Sequence, residues 1–221
     1  VLLVDRRLQV GEQLRRALLT SQRMIDDVDY DGLKEARAVV REVIGDSALP
    51  DAALTARGSQ VELYLWMFYT GDRAYLQQAR ALLEEAEVRD ADNPETRFAR
   101  ALYEGYMGDA SVTLAIADEL EGNEDIRPDR IHLLRGVAAS AMGDHERATR
   151  HMEKAVSLKP SPLNHLAFAR EAERNGDWID AEDQLDAILE IRPDHVLGAV
   201  DLALARAGLP TDEGYLDAVT A

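Results

Sequence analysis

Asn164 to Asp194 reads NHLAFAREAERNGDWIDAEDQLDAILEIRPD, and its punctuation decides the fold. A helical pattern runs to Asn175, breaks at Gly176-Asp177, resumes to Ile191 and stops before Pro193. Glycine adopts the left-handed conformation that ends a helix, and the aspartate after it caps the next helix by accepting from its free N–H groups. Pro193 cannot extend a helix and turns Arg192 away from the helical region. A two-helix unit of this kind cannot bury both apolar faces by itself, so it requires neighbours of its own type.

The same punctuation recurs upstream. Gly-Asp pairs stand at Gly71-Asp72, Gly108-Asp109, Gly143-Asp144 and Gly176-Asp177, at steps of 37, 35 and 33 residues. Seven residues before the glycine come Ala101, Gly136 and Ala169, small where two helices must approach closely, with Tyr64 as the exception. Five after it come Ala148 and Ala181, with Thr113 weaker, and seventeen after it come Pro160 and Pro193. In the Gly71 unit the second helix carries about three extra residues, which makes Ala79 and Ala86 the crossing alanines.

These columns resemble the tetratricopeptide repeat, a helix–turn–helix unit of about 34 residues with small residues at the crossing and proline at the exit. The units Arg130–Pro160 and Pro162–Pro193 match best; the Gly108 unit lacks the late alanine and the proline and places Arg100 and Glu104 where the family packs apolar residues. The resemblance implies an all-α, right-handed solenoid. Residues 1–45 form an N-terminal helical pair, and 46–221 form the repeat array with truncated or capping helices at its C-terminal end.

Taken in order, helices are predicted at about Asp5–Ile25 and, after an acidic loop Asp26–Gly32, at Leu33–Ile44. A break at Gly45–Asp51 makes Asp51 an N-cap, and a long helix follows to Thr70. Then come Asp72–Arg89, Pro94–Met107, Asp109–Glu121, Pro128–Met142, Asp144–Leu158, Pro162–Asn175, Asp177–Ile191 and Val196–Ala207, with a short acidic helix beyond Pro210. No strand pattern is found, and Glu119–Asp125 is the expected flexible connection.

Composition narrows the function. The 221 residues are 46% hydrophobic but only 5% aromatic, the small-residue balance that close-packed helices need. Net charge is −17 and the isoelectric point about 4.6, which argues against nucleic acid and anionic membrane surfaces as partners. No apolar run approaches the ~20 residues needed to span a bilayer, so no membrane insertion is expected. Cysteine is absent, and 22 arginines against 3 lysines suit a GC-rich bacterial genome. The start at VLLV reads as a trimmed N-terminus, so the compartment stays open between cytoplasm and periplasm.

Chemistry is sparse. Asp27-x-Asp29-x-Asp31-Gly32 looks like the opening of an EF-hand loop, yet Lys34 and Ala38 stand where an aliphatic residue and the bidentate glutamate belong. The competing reading is an acidic turn that caps the next helix. His132, His145, His151, His165 and His195 show no metal spacing, with His132 and His165 sharing one column. There is neither a phosphate-cradling glycine loop nor a nucleophile elbow. The expectation is therefore no catalytic residue, no metal and no cofactor.

The resemblance implies that first helices line a concave face and that its exposed columns hold the partner. Those columns read Val61, Phe98, Leu133 and Leu166; Leu65, Leu102, Val137 and Arg170; then Phe68-Tyr69, Tyr106 and Arg174. The lysine and asparagine with which relatives grip a peptide's C-terminal carboxylate are missing at these positions. The expected groove is Val61, Leu65, Phe68, Tyr69, Phe98, Leu102, Tyr106, Leu133 and Val137, closed at one end by Arg170 and Arg174. It suits a helix or hydrophobic peptide of a partner protein. Substituting Phe98 and Leu102 with aspartate is then expected to abolish capture. Competing readings are a self-assembly module, with Leu2–Met24 or a second copy filling the groove, and a regulatory segment of a larger protein.

Overall fold

In the computed structural model the backbone is described over 2–46 and 51–207, and side chains over 11–45 and 51–207. Among those residues the chain is all-helical, without a strand. The helices are α1 (Leu2–Asp27), α2 (Tyr30–Asp46), α3 (Ala52–Leu65), α4 (Arg73–Asp90), α5 (Pro94–Met107), α6 (Ala110–Glu119), α7 (Pro128–Ala141), α8 (His145–Leu158), α9 (Pro162–Arg174), α10 (Trp178–Ile191) and α11 (Val196–Arg206). The helix expected beyond Pro210, and residues 47–50 of the expected break, lie outside the described residues.

The chain divides into two compact units, Val1–Arg100 and Ala101–Ala221. The division falls inside α5. In the first unit α2 packs on α1 and α3, α3 packs on α4, and α1 also reaches α3. In the second unit α6 packs on α7, α7 on α8, α8 on α9, α9 on α10 and α10 on α11. Within each unit these helices find cover in their neighbours along the chain.

All four Gly-Asp pairs stand at the corner between a first and a second helix, but they turn it in three ways. Gly143 and Gly176 are left-handed, at φ 76° and 77°. The N–H after each reaches back to close the helix, from Asp144 to Ala139 O at 2.9 Å and from Asp177 to Ala172 O at 2.8 Å. At Gly71 (φ 59°) the preceding turn, Trp66–Thr70, is a π-helix closed by Gly71 N–H to Trp66 O at 2.9 Å. The long helix expected to run to Thr70 thus widens in its last turn. Gly108 is not left-handed: its N–H donates to Glu104 O, and the Glu104 carboxylate takes the Asp109 N–H at 3.1 Å. A side chain there does the work that a left-handed residue does elsewhere.

The capping expectation holds at each corner. Asp72, Asp109, Asp144 and Asp177 accept from the N–H groups of Ala74, Ser111, Arg147 and Asp180, and Asp51 accepts from Leu54 at 2.8 Å. The crossing columns are core: Ala101, Ala169, Ala148, Ala181, Ala79 and Ala86 are all fully buried. Thr113 fits its alanine column because its hydroxyl donates to Ala101 O at 2.8 Å. The expected loop Asp26–Gly32 shrinks to a two-residue link, since α1 continues to Asp27 and α2 begins at Tyr30. Val28, at φ 44° and fully buried, makes that tight turn.

Candidate functional site

The residues expected to line an open groove are mostly core. Val61, Leu65 and Phe68 in the first unit are buried, as is Phe98 on α5. So are Leu102, Leu133 and Val137 in the second. The expectation of an exposed apolar trough is corrected by their burial. The physical reason is that first helices are enclosed by the helices around them: every residue of α3 except Ala53 is buried, and so is all of α9 from Pro162 to Glu173. An apolar column on such a helix records packing against neighbours. The Phe98 and Leu102 aspartate changes would bury two carboxylates and destabilise the helical core, so they do not test binding.

The remaining candidates divide. Tyr69 is half-buried, with its ring 5.3 Å from Tyr30 and its hydroxyl donating to Val28 O at 2.5 Å, so it braces the α1–α2 turn. Arg170 is buried and pairs with Asp201 of α11 at 3.7 Å. Tyr106 is half-buried, and Arg174 is exposed, with Nη1 donating to Ser140 Oγ at 3.4 Å.

Polar residues tie one first helix to the next, and this was not read from the sequence. In the first unit Arg57 of α3 donates to Gln22 of α1 and pairs with Glu95 of α5 at 2.7 Å; Gln60 also reaches Glu95, at 3.3 Å. Glu62, 1% exposed, takes Arg37 at 2.7 Å and Arg41 at 3.2 Å from α2. In the second unit Asn164 of α9 donates to Asp129 of α7 at 3.4 Å, and Ser140 of α7 donates to Glu171 of α9. Gln22–Arg57, Gln60–Glu95 and Asp129–Asn164 are each 35 residues apart. That separation matches the spacing of the Gly-Asp pairs, and it was the signal available: polar residues recurring at that length along the first helices.

Some of these groups resemble catalytic sets without their order. Ser140, His145 and Glu171 meet, but the carboxylate sits in the middle, accepting from Ser140 on one oxygen and meeting His145 Nδ1 at 2.8 Å on the other. A serine nucleophile needs the imidazole between hydroxyl and acid so that it can take the proton. Here the buried Glu171 joins α7, α8 and α9 instead. In the EF-hand-like loop, Asp29 caps α2 by accepting from Gly32 N–H at 2.9 Å, the capping reading of that stretch. Among the described residues no three His, Cys, Asp or Glu side chains cluster as a metal site, and no helix is long and apolar enough to cross a membrane.

His132 and His165, which share a column, do not meet each other. Each instead meets the residue 19 positions on: His132 Nδ1 lies 3.1 Å from His151 Nδ1, and His165 Nδ1 lies 2.9 Å from Gln184 Oε1. Burial, then Arg135 and Lys154, hold His132 below the ordinary histidine value, while Glu121 pulls the other way. Burial, then His132 and the arginines Arg135, Arg147 and Arg150, do the same to His151. Along α11, Val196, Ala199, Val200 and Ala203 are exposed and line a cavity of about 530 Å³. The chain matches no family model and no curated protein.

Proposed function

We propose that this chain is a non-catalytic protein-binding scaffold, a right-handed α-solenoid of tetratricopeptide-like repeats that holds a helix or peptide of a partner protein. The observation that carries the reading is recurrence: four helix–Gly-Asp–helix corners, with first helices tied to one another by polar pairs one repeat apart. Stacked units with only neighbour contacts present extended surfaces, which is how such arrays bind. Because the apolar columns are core, capture rests on side chains that reach solvent, of which Tyr106 and Arg174 in the second unit are the candidates. The test is a pull-down comparing the native chain with Tyr106→Ala/Arg174→Ala. The native chain retains a partner that the variant loses while both give the same circular dichroism. Equal capture by the two overturns this placement.

The exposed apolar stripe on α11 favours a second reading, self-assembly. Val196 is 73% and Val200 51% exposed, one helical turn apart. Light scattering at two concentrations separates the readings: a mass that rises with concentration, and that Val200→Asp restores to one chain, marks assembly. A net charge of −17 opposes it most at low salt.

A further inference from the structure

We propose that His132 and His151 form a proton-gated clasp between α7 and α8, closed by one shared Nδ1 proton and opened by a second. The two nitrogens are 3.1 Å apart while the ring centroids are 5.3 Å apart. The difference is nearly two ring radii, so the nitrogens face each other along the line between the rings. In that arrangement one Nδ1 carries the hydrogen and donates, and the other must accept through its lone pair. Adding one proton to an outer nitrogen keeps the bond and makes it charge-assisted. Adding another leaves two N–H donors pointed at each other and two positive rings in contact, so the bond is lost and the charges repel.

The charges around the pair make the second step costly. On α7, Arg135 lies alongside; on α8, Arg147 and Lys154 do, with Arg150, which is paired with Glu146 at 2.7 Å. From the α6 side Asp118 and Glu121 are present, but both are engaged by Arg135, at 2.6 and 2.8 Å. From α9, which packs on α8, Glu171 is taken by His145 and His165 by Gln184. With two ligands and several cations around them, the same nitrogens are a poor seat for a divalent metal ion. Doubly protonated, they push α7 and α8 apart.

The next repeat carries the control. His165 and Gln184 occupy the same two positions 33 residues later, with the same separation along the chain. Gln184 is neutral at every pH, and its oxygen accepts from His165 Nδ1–H whether that ring is neutral or charged. Burial also holds His165 below the ordinary histidine value, with Gln184 pulling the other way, so both positions resist protonation. Only at the first does a further proton turn the acceptor into a donor, and His151 makes that difference.

Thermal unfolding of the full chain between pH 8 and pH 5 tests this, comparing native protein with His151→Gln. Both histidines sit below their ordinary value in the fold, so the unfolded chain binds more protons as pH falls and the native fold loses stability there. His151→Gln removes the share of that loss that belongs to His151 and to the repulsion between the two rings, while keeping a hydrogen bond. At pH 8 the two melt alike; at pH 5 the variant melts higher by about 2–4 °C, the shift expected for a chain of this size if about one charge repulsion is relieved. Parallel melting curves across the range, or a variant that falls behind the native chain in acid, overturn the clasp. Should the variant not fold, imidazole nitrogen resonances of the native chain decide: two coupled protonation steps support it. Two independent titrations at the ordinary histidine value overturn it.

Discussion

Arg57 is the residue on which the first unit turns. It is 4% exposed, pairs with Glu95 at 2.7 Å and also donates to Gln22. Charges this deep are kept because their partners meet them, and removing one partner leaves the other uncompensated. Arg57→Ala should therefore cost about 3–5 kcal/mol, the range for breaking a buried pair. An apolar pair of similar volume, Arg57→Met/Glu95→Leu, should recover most of that loss, because neither charge then needs a partner. Urea denaturation of the single and double variants checks both, and a double variant no more stable than Arg57→Ala would refute the account. Such residues were invisible to a reading that sorted positions into apolar core and polar surface. Arg57, Glu62, Arg170 and Glu171 carry the signature of solvated faces, yet all are buried, because enclosing a first helix leaves it no solvent side.

At the scale of elements the corners and crossings were legible, and their glycines can be ranked. Gly143 and Gly176 hold φ values that cost an L side chain about 1–2 kcal/mol, so alanine at either should destabilise by about that much. Gly11 lies inside α1 with open space around it, and alanine there should stabilise by about 0.5–1 kcal/mol. The close approaches differ in kind. A Cβ on Gly105 would come 2.8 Å from Val137 Cγ1, a methyl on a stiff branched side chain. On Gly136 it would meet Met152 Cε at 2.8 Å, the end of a flexible one. Gly105→Ala should thus cost about 1–3 kcal/mol and Gly136→Ala less. Melting temperatures of the five single variants test the order; a harmless Gly105→Ala would contradict the packing argument. Helix boundaries were legible to within a few residues because Asp, Gly and Pro mark them chemically. The π turn at Trp66–Thr70 had no such mark, and neither did the substitution of Glu104 for a left-handed corner at Gly108. The candidate site was legible as a set of columns but not as a surface. Periodicity says which residues share a face, whereas only the stacking of neighbours says whether that face meets water.

For the molecule as a whole, contact along the chain sets how it comes apart. In the second unit α10 packs principally on α9 and α11, and α7 principally on α6 and α8. When units touch only their neighbours, stability is close to a sum of local terms and opening can begin where one is weakened. Leu185, fully buried on α10, is such a place. Leu185→Asp puts a carboxylate into that interface without a partner, a severe and local defect. Amide hydrogen exchange should then show protection falling first in α9, α10 and α11, while α7 and α8 keep most of theirs. A compact domain with one shared core would lose protection in all five helices together. That outcome would contradict the stacked array from which both the binding reading and the separate behaviour of the two histidine positions are argued.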